Sequence, residues 1–269
     1  MKAGNGKNLA IRIAILVFAA AFVVGGVIFG KAALEDLQGD KSYAALQQQL
    51  LQMQTQPAGN DTSASAAPAA DTPGETPAPE TRTSEIDFAA LKAINPDVCA
   101  WLRAEDSVID YPVVHGTDNE YYLKHLYTGQ KNRNGSVFVD CGNTGLFTEQ
   151  NTLIFGHNMQ SGAMFGTLKG YKKQDYYDAH PTMTLYTPAG DYTLELIAGT
   201  IEDGSYTFAK CSFDSVEEFF DYVADLKSRS TFRSSVEVQE GDRLVSLCTC
   251  TYEFSNARYV VVGKLTALP

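Results

Sequence analysis

The sequence predicts a mainly β fold, a closed or nearly closed barrel of eight strands, behind a single amino-terminal membrane-spanning helix. Three observations predict it. Eight short β-rich runs, punctuated by Gly, Asn, Asp and Pro, fill the last 185 or so residues. Two helical insertions interrupt them, near Glu120 to Leu126 and from Ser215 to Ser228. At the other end, Ile13 to Phe29 is a 17-residue run without a charge.

That apolar run stands at the short end of what crosses a bilayer, where about 20 residues are typical. Lys2, Lys7 and Arg12 precede it and no acid occurs before Glu35, so residues 1–12 are expected in the cytoplasm and everything after residue 30 outside. A cleaved signal peptide is the alternative, with Gly30-Lys31-Ala32 as a weak cleavage site. The run is longer than the usual signal core, which favours an uncleaved anchor over residues 13–30.

Residues 31–54 read as a polar, Gln-rich helical stalk with a ragged stripe of Leu34, Leu37, Leu46, Leu50 and Met53, interrupted at Gly39. Fewer than three clean heptads are present, so a solvated stalk is expected rather than a coiled coil. Residues 55–84 hold five of the ten prolines and no Leu, Ile, Val, Phe, Tyr or Trp. Such a stretch has nothing to bury against chain entropy and reads as a disordered linker. As a loose coil it spans on the order of 30 Å, a leash that would let the following domain work away from the membrane.

The folded domain, 85–269, opens at SEID. Ser84 with Asp87 resembles a capping box before Phe88, Leu91 and Ile94 at helical spacing, and Asn95-Pro96 ends that helix. The strand-like runs follow: 100–103, 108–114, 136–140, 152–155, 183–187, 192–201, 243–251 and 259–265. SVEEFFDYVADLKS, between the sixth and seventh, places Val216, Phe219, Phe220, Val223 and Leu226 on one helical face.

Lys2, Lys7, Arg12 and Lys31 are the only charges before residue 35, so the net charge of −11 becomes −15 beyond Lys31. An acidic exterior portion excludes the basic stripe of a nucleic-acid binder. Five cysteines, at 99, 141, 211, 248 and 250, are an odd number and form no disulfide-like pattern. A free thiol outside the cell needs a reason, and RLVSLCTCT offers one. Alternation turns Val245, Leu247 and Thr249 to one face and Ser246, Cys248 and Cys250 to the other. The first set suits a core, so both thiols are expected on an accessible groove.

A thiol is a weak nucleophile until it ionises, so a nearby histidine or cation matters. His157 follows the apolar run TLIF and a glycine, where a strand opens into a loop. Arg258 follows the short turn EFSNA and precedes the strand YVVVGKL, and a hairpin would return it beside Cys250. Arginine stays protonated and suits an oxyanion or a bound substrate; a rim salt bridge is the bland alternative.

The set IFGHNM, SLCTCTYEF and NARYVVV resembles the sortase family, specifically class B, over roughly residues 85–265. AWLRAEDSVIDYPVVHGTDNEYYL and GHNMQSGAMFGTLKGY add to it. The family signature Thr-Leu-x-Thr-Cys stands here as Ser246-Leu247-Cys248-Thr249-Cys250. The resemblance implies an eight-stranded sortase-type barrel and a membrane-anchored cysteine transpeptidase of Gram-positive bacteria. Such enzymes cleave a carboxy-terminal sorting signal of secreted proteins, here of Asn-Pro-x-Thr-like type. They pass the acyl group to an amine of the peptidoglycan precursor.

By resemblance Cys250 is the nucleophile, His157 the acid and Arg258 the substrate or oxyanion partner, with a backbone N–H such as that of Thr251 completing the oxyanion site. Asn119, Leu123 and Phe155, with Cys248, Thr249 and Thr251, are the candidate signal-binding residues. No metal or cofactor is implied. A thiol–disulfide pair formed by Cys248 and Cys250 is the rival chemistry, although two intervening residues are usual. A zinc site formed by Cys248, Cys250 and His157 lacks the usual ligand spacing. A papain-like hydrolase would place its cysteine before its histidine, and a pilin amine is the alternative acceptor.

Overall fold

The computed structural model describes residues 4–55, 84–205 and 210–268, with side chains over 12–50 of the first stretch. The proline-rich linker and the flanking Lys2 and Lys7 lie outside the described residues or side chains. Helix α1 runs Gly4–Thr55 without a break and contains a segment long and apolar enough to cross a membrane, with its apolar side chains exposed. After the short helix α2 (Phe88–Ile94) come β1 (Val98–Arg103), β2 (Asp110–His115), a 3-10 turn at Tyr121–Leu123, β3 (Val137–Val139) and β4 (Asn151–Phe155). A second 3-10 segment (Leu168–Lys172), α3 (Gln174–Ala179), β5 (Thr182–Thr187), β6 (Gly190–Asp203), α4 (Val216–Ser228), β7 (Arg243–Cys250) and β8 (Ala257–Ala267) complete it.

All eight expected strands form, and they close into a barrel in the order β1-β2-β3-β4-β7-β8-β6-β5. β2 with β3 and β4 with β7 are parallel; every other neighbouring pair is antiparallel. Trp101, Leu153, Leu194, Leu247 and Val261 are fully buried, and closure of the barrel leaves no free sheet edge among the described residues. The long helix before the cysteine strand begins where the sequence places it, because Ser215 Oγ accepts from Glu218 N at 3.1 Å.

Three expectations change. The cap of α2 is Asp87, whose carboxylate accepts from Ala90 N; Ser84 instead bonds Asp191. The helix Leu168–Lys172 and α3 were not anticipated, being too short to show a period. The third is the stalk, which is not solvated all round. Tyr43, Leu46 and Leu50 are buried against the barrel, a stripe at i, i+3 and i+7 that needs no heptads when its partner is a sheet.

Polar bonds fix the docking. Tyr43 Oη donates to Gly135 O (2.8 Å), Gln47 Nε2 to Asp110 O (2.7 Å) and Asn132 Nδ2 to Glu35 O (2.8 Å). Gly39, expected to interrupt the helix, lies within it. Its role is close approach, since a Cβ there would stand 2.5 Å from Asn134 Nδ2. With residues 35–50 seated on the barrel, the linker does not set the domain's reach.

Candidate active site

One end of the barrel opens into a cleft of about 190 Å³ lined by Asn119, Leu123, Phe138, Phe155, Gly156, His157, Cys248, Thr249, Cys250 and Arg258. Strand register explains much of this list. Phe138 pairs with Phe155, and Phe155 with Cys248, along one row across β3, β4 and β7. One pleat nearer the mouth, Cys250 stands directly opposite Arg258 across the β7–β8 hairpin. Residues directly opposite point to the same face, so the guanidinium and the thiol share the opening. Arg258 Nη1 donates to Asn256 O (3.3 Å) and Ala257 O (3.1 Å) of its own turn. Among the described residues it forms no salt bridge, so the rim ion pair weighed for it is not made.

His157 lies two residues beyond Phe155, on the loop that leaves β4. Its Nε2 is 2.8 Å from Leu123 O. A carbonyl has no hydrogen to donate, so Nε2 carries one and the lone pair of the neutral ring lies on Nδ1. The loop on either side of the imidazole is stitched to β7. Gly156 N donates to Cys248 O (3.1 Å), Thr249 Oγ1 to Gly156 O (2.7 Å) and Asn158 Nδ2 to Cys250 O (2.8 Å). Gly156 has no room for a side chain, since a Cβ would stand 2.7 Å from the Phe165 ring. Thr249 thus acts through its hydroxyl on the loop as well as at the cleft wall.

Two sequence expectations fail here. Cys248 shares a face with Cys250 yet is 1 % exposed, and Ser246 beside it is equally buried. Alternation separates two faces but does not say which is covered, and β7 is covered on both. Ser246 donates to Asn151 Oδ1 (2.9 Å) inside this cover, and Cys248 forms the cleft floor. Burial pushes the Cys248 thiol up to about 12, against the pull of Arg258. That is the reverse of what a redox or metal thiol needs. All five cysteines are free thiols.

Thr251 is the second. It lies outside the cleft lining, and its N–H donates to Ala257 O at 3.0 Å, so it is not available to an oxyanion. Its hydroxyl serves the hairpin: Lys172 Nζ donates to Thr251 Oγ1 (2.6 Å), which donates to Glu253 Oε2 (2.6 Å), and Lys172 also pairs with Glu253. These bonds hold Glu253 well below the usual carboxylate range, at about 2. Sequence reasoning missed Asn158, Phe138 and Lys172. Asn158 was readable in part, as the residue after His157; the others reach the site from distant segments.

A sortase-domain family model matches residues 102–266, more than half of the chain. Sortase B of Listeria monocytogenes is 37% identical over 177 residues, covering 65% of this chain and 72% of that protein. Sortase B of Staphylococcus aureus is 28% identical over 180 residues, 66% of this chain and 74% of that one. Among solved structures, Clostridium perfringens sortase B superposes with a TM-score of 0.64 at 35% identity, over 67% of this chain and 100% of its own. A barrel with its cysteine, histidine and arginine at one mouth and relatives of this kind lead to one conclusion: the chain belongs to the sortase family of cysteine transpeptidases and, within it, to class B.

Proposed function

We propose that Cys250 is the nucleophile of this transpeptidase, His157 its general acid and base, and Arg258 the cation that faces the developing oxyanion. The observation that carries this is the convergence of the three side chains on a single cleft at the barrel mouth. The thiol gives its proton to Nδ1 of His157, and the thiolate adds to the carbonyl carbon of the Thr in the sorting signal, whose peptide bond to the next residue is the one that breaks. Negative charge then grows on the carbonyl oxygen, facing the guanidinium, the one fixed cation among the cleft's lining residues. Collapse expels the amine, which takes its proton from Nδ1, and leaves a thioester on Cys250. The incoming amine of a peptidoglycan precursor repeats these steps in reverse and releases Cys250.

Asn119, Leu123 and Phe155 line the wall on which the signal rests, with Cys248 beneath. An Asn-Pro-x-Thr-like pentapeptide is the proposed signal class. The helix segment 13–30 anchors the enzyme, with Lys2, Lys7 and Arg12 holding the amino terminus on the cytoplasmic side. The test is mass spectrometry of the full chain in detergent, incubated with a small library of sorting-signal peptides and with candidate amines. The expected result is an acyl adduct on Cys250 that a peptidoglycan-type amine discharges. An adduct on another residue, or none with any peptide, overturns the assignment; discharge by a lysine-bearing pilin alone replaces the acceptor.

A further inference from the structure

Asn119 is held at both ends of its amide. Its Oδ1 accepts from Cys141 N at 2.8 Å, and its Nδ2 donates to Asp140 Oδ2 at 2.9 Å. An amide so engaged has one allowed orientation. Turned over, it would set Nδ2 against the Cys141 N–H and Oδ1 against the Asp140 carboxylate, two repulsive contacts. Asp140 is fixed in turn at the end of β3. Its Oδ1 accepts from Gly142 N (2.7 Å), and its N–H donates to Leu153 O of β4 (2.9 Å). The carboxylate therefore has both oxygens committed, one to its own turn and one to Asn119.

The second hydrogen on Asn119 Nδ2 has no protein partner among the described residues. Asn119 lines the cleft beside Leu123 and His157, whereas Asp140 does not line it. We propose that Asp140 is a positioning residue that locks the Asn119 amide so that the cleft is offered a hydrogen-bond donor. Signals are then selected for an acceptor at that point, a backbone carbonyl or a side-chain amide oxygen. This rests on the cleft being the signal-binding site proposed above. With the carboxylate gone, one of the two contacts that hold the amide is lost, and the donor is kept toward the cleft by the Cys141 N–H alone.

The test uses the full-length enzyme, with steady-state cleavage of the best peptide and the rate of Cys250 alkylation by iodoacetamide. Asp140→Asn is nearly isosteric but replaces one acceptor by a donor. Whichever way the new amide turns, its NH₂ faces either the Gly142 N–H or Asn119 Nδ2. The expected result is a KM raised by roughly 5- to 10-fold, the scale of one lost hydrogen bond, with kcat within about twofold. Alkylation of Cys250 should be unchanged, because iodoacetamide makes no use of Asn119. In an Asn119→Ala background the same substitution should raise KM no further.

An equal rise in that background, a parallel loss of alkylation, or an unaltered KM for Asn119→Ala alone overturns the assignment. Cys250→Ala in the same assay separates this from the reading beneath it. If that variant still cleaves peptide, the proposed function fails and takes the positioning role with it. If it is inactive while the cycle shows no coupling, the role of Asp140 alone fails.

Discussion

The mouth of the barrel and its covered flank use the same strand to opposite ends. Cys250 is the last residue of β7, half-buried, opposite a guanidinium and beside a loop histidine. Cys248, two residues earlier on the same face, is 1 % exposed, and burial drives its thiol up to about 12. Neither residue type nor face distinguishes them. What differs is distance from the strand end: one pleat deeper, the phenyl rings of Phe138 and Phe155 and the β8 neighbour Val260 replace solvent. The charged form of a thiol is then disfavoured faster than Arg258 can restore it.

The largest expected effect tests that contrast directly. Cys250→Ala should lower acyl transfer by at least about 10⁴-fold, as loss of a covalent nucleophile does. Cys248→Ser should leave kcat/KM within about threefold, at a cost in stability of about 1 kcal/mol for burying a hydroxyl at the cleft floor. Equal damage from both substitutions would return the pair to a shared redox or metal role. Next in size is Arg258→Lys. Lysine keeps the charge but not the fork, and it cannot make the same bonds to the Asn256 and Ala257 carbonyls. A fall of roughly 10²-fold in kcat with little change in KM is expected, the scale of one lost oxyanion donor. If KM moved instead, Arg258 would be holding the substrate in its ground state.

The covered flank has its own signature in alkali. Cys248 and Cys99 are both buried with thiols raised to about 12, above the ordinary value of 9.0. A raised thiol keeps its proton in the folded state while the unfolded chain releases it. The stability this represents is complete below about 9 and is lost as pH climbs from there toward 12. Denaturant unfolding should therefore weaken above pH 9 by up to about 1.4 kcal/mol per pH unit for each thiol. Cys248→Ser should remove one thiol's share of the slope. A slope unaltered by that substitution would mean that Cys248 is not the buried acid the structure describes.

Much of this was legible in the sequence. The strands announced themselves by β-branched runs between turn residues, and α4 by its one apolar face. The placing of Cys250, His157 and Arg258 followed from period two and a short hairpin, which are local rules. What escaped depends on segments meeting from far apart in the chain. The cover over Cys248 comes from other strands, and the bond that takes Thr251 N–H comes from the way the hairpin closes on Ala257. Asp140 reaches Asn119 across 21 residues, and Lys172 reaches Thr251 across 79. No periodicity records such pairings.

The stalk belongs to the covered flank for the same reason, and it provides the smallest and most discriminating effect. Leu46 and Leu50 of its stripe were visible, but Tyr43 beside them and the barrel that accepts all three were not. Were residues 35–50 solvated, the Tyr43 hydroxyl would be bonded to water in folded and unfolded chains alike, and Tyr43→Phe would change nothing. Docked, Tyr43 is 4 % exposed and its hydroxyl donates to Gly135 O, a carbonyl left without this donor in the variant. The cost should be about 1 kcal/mol, which for a domain of this size lowers Tm by roughly 2–4 °C. Scanning calorimetry of the full chain reads it. Gln47→Ala is the independent second variant, because it removes another bond across the interface, to Asp110 O. Losses in both variants fix the carboxy-terminal part of helix α1 as part of the barrel domain's own core, whereas an unshifted Tm in both would restore the free stalk and the reach of the linker.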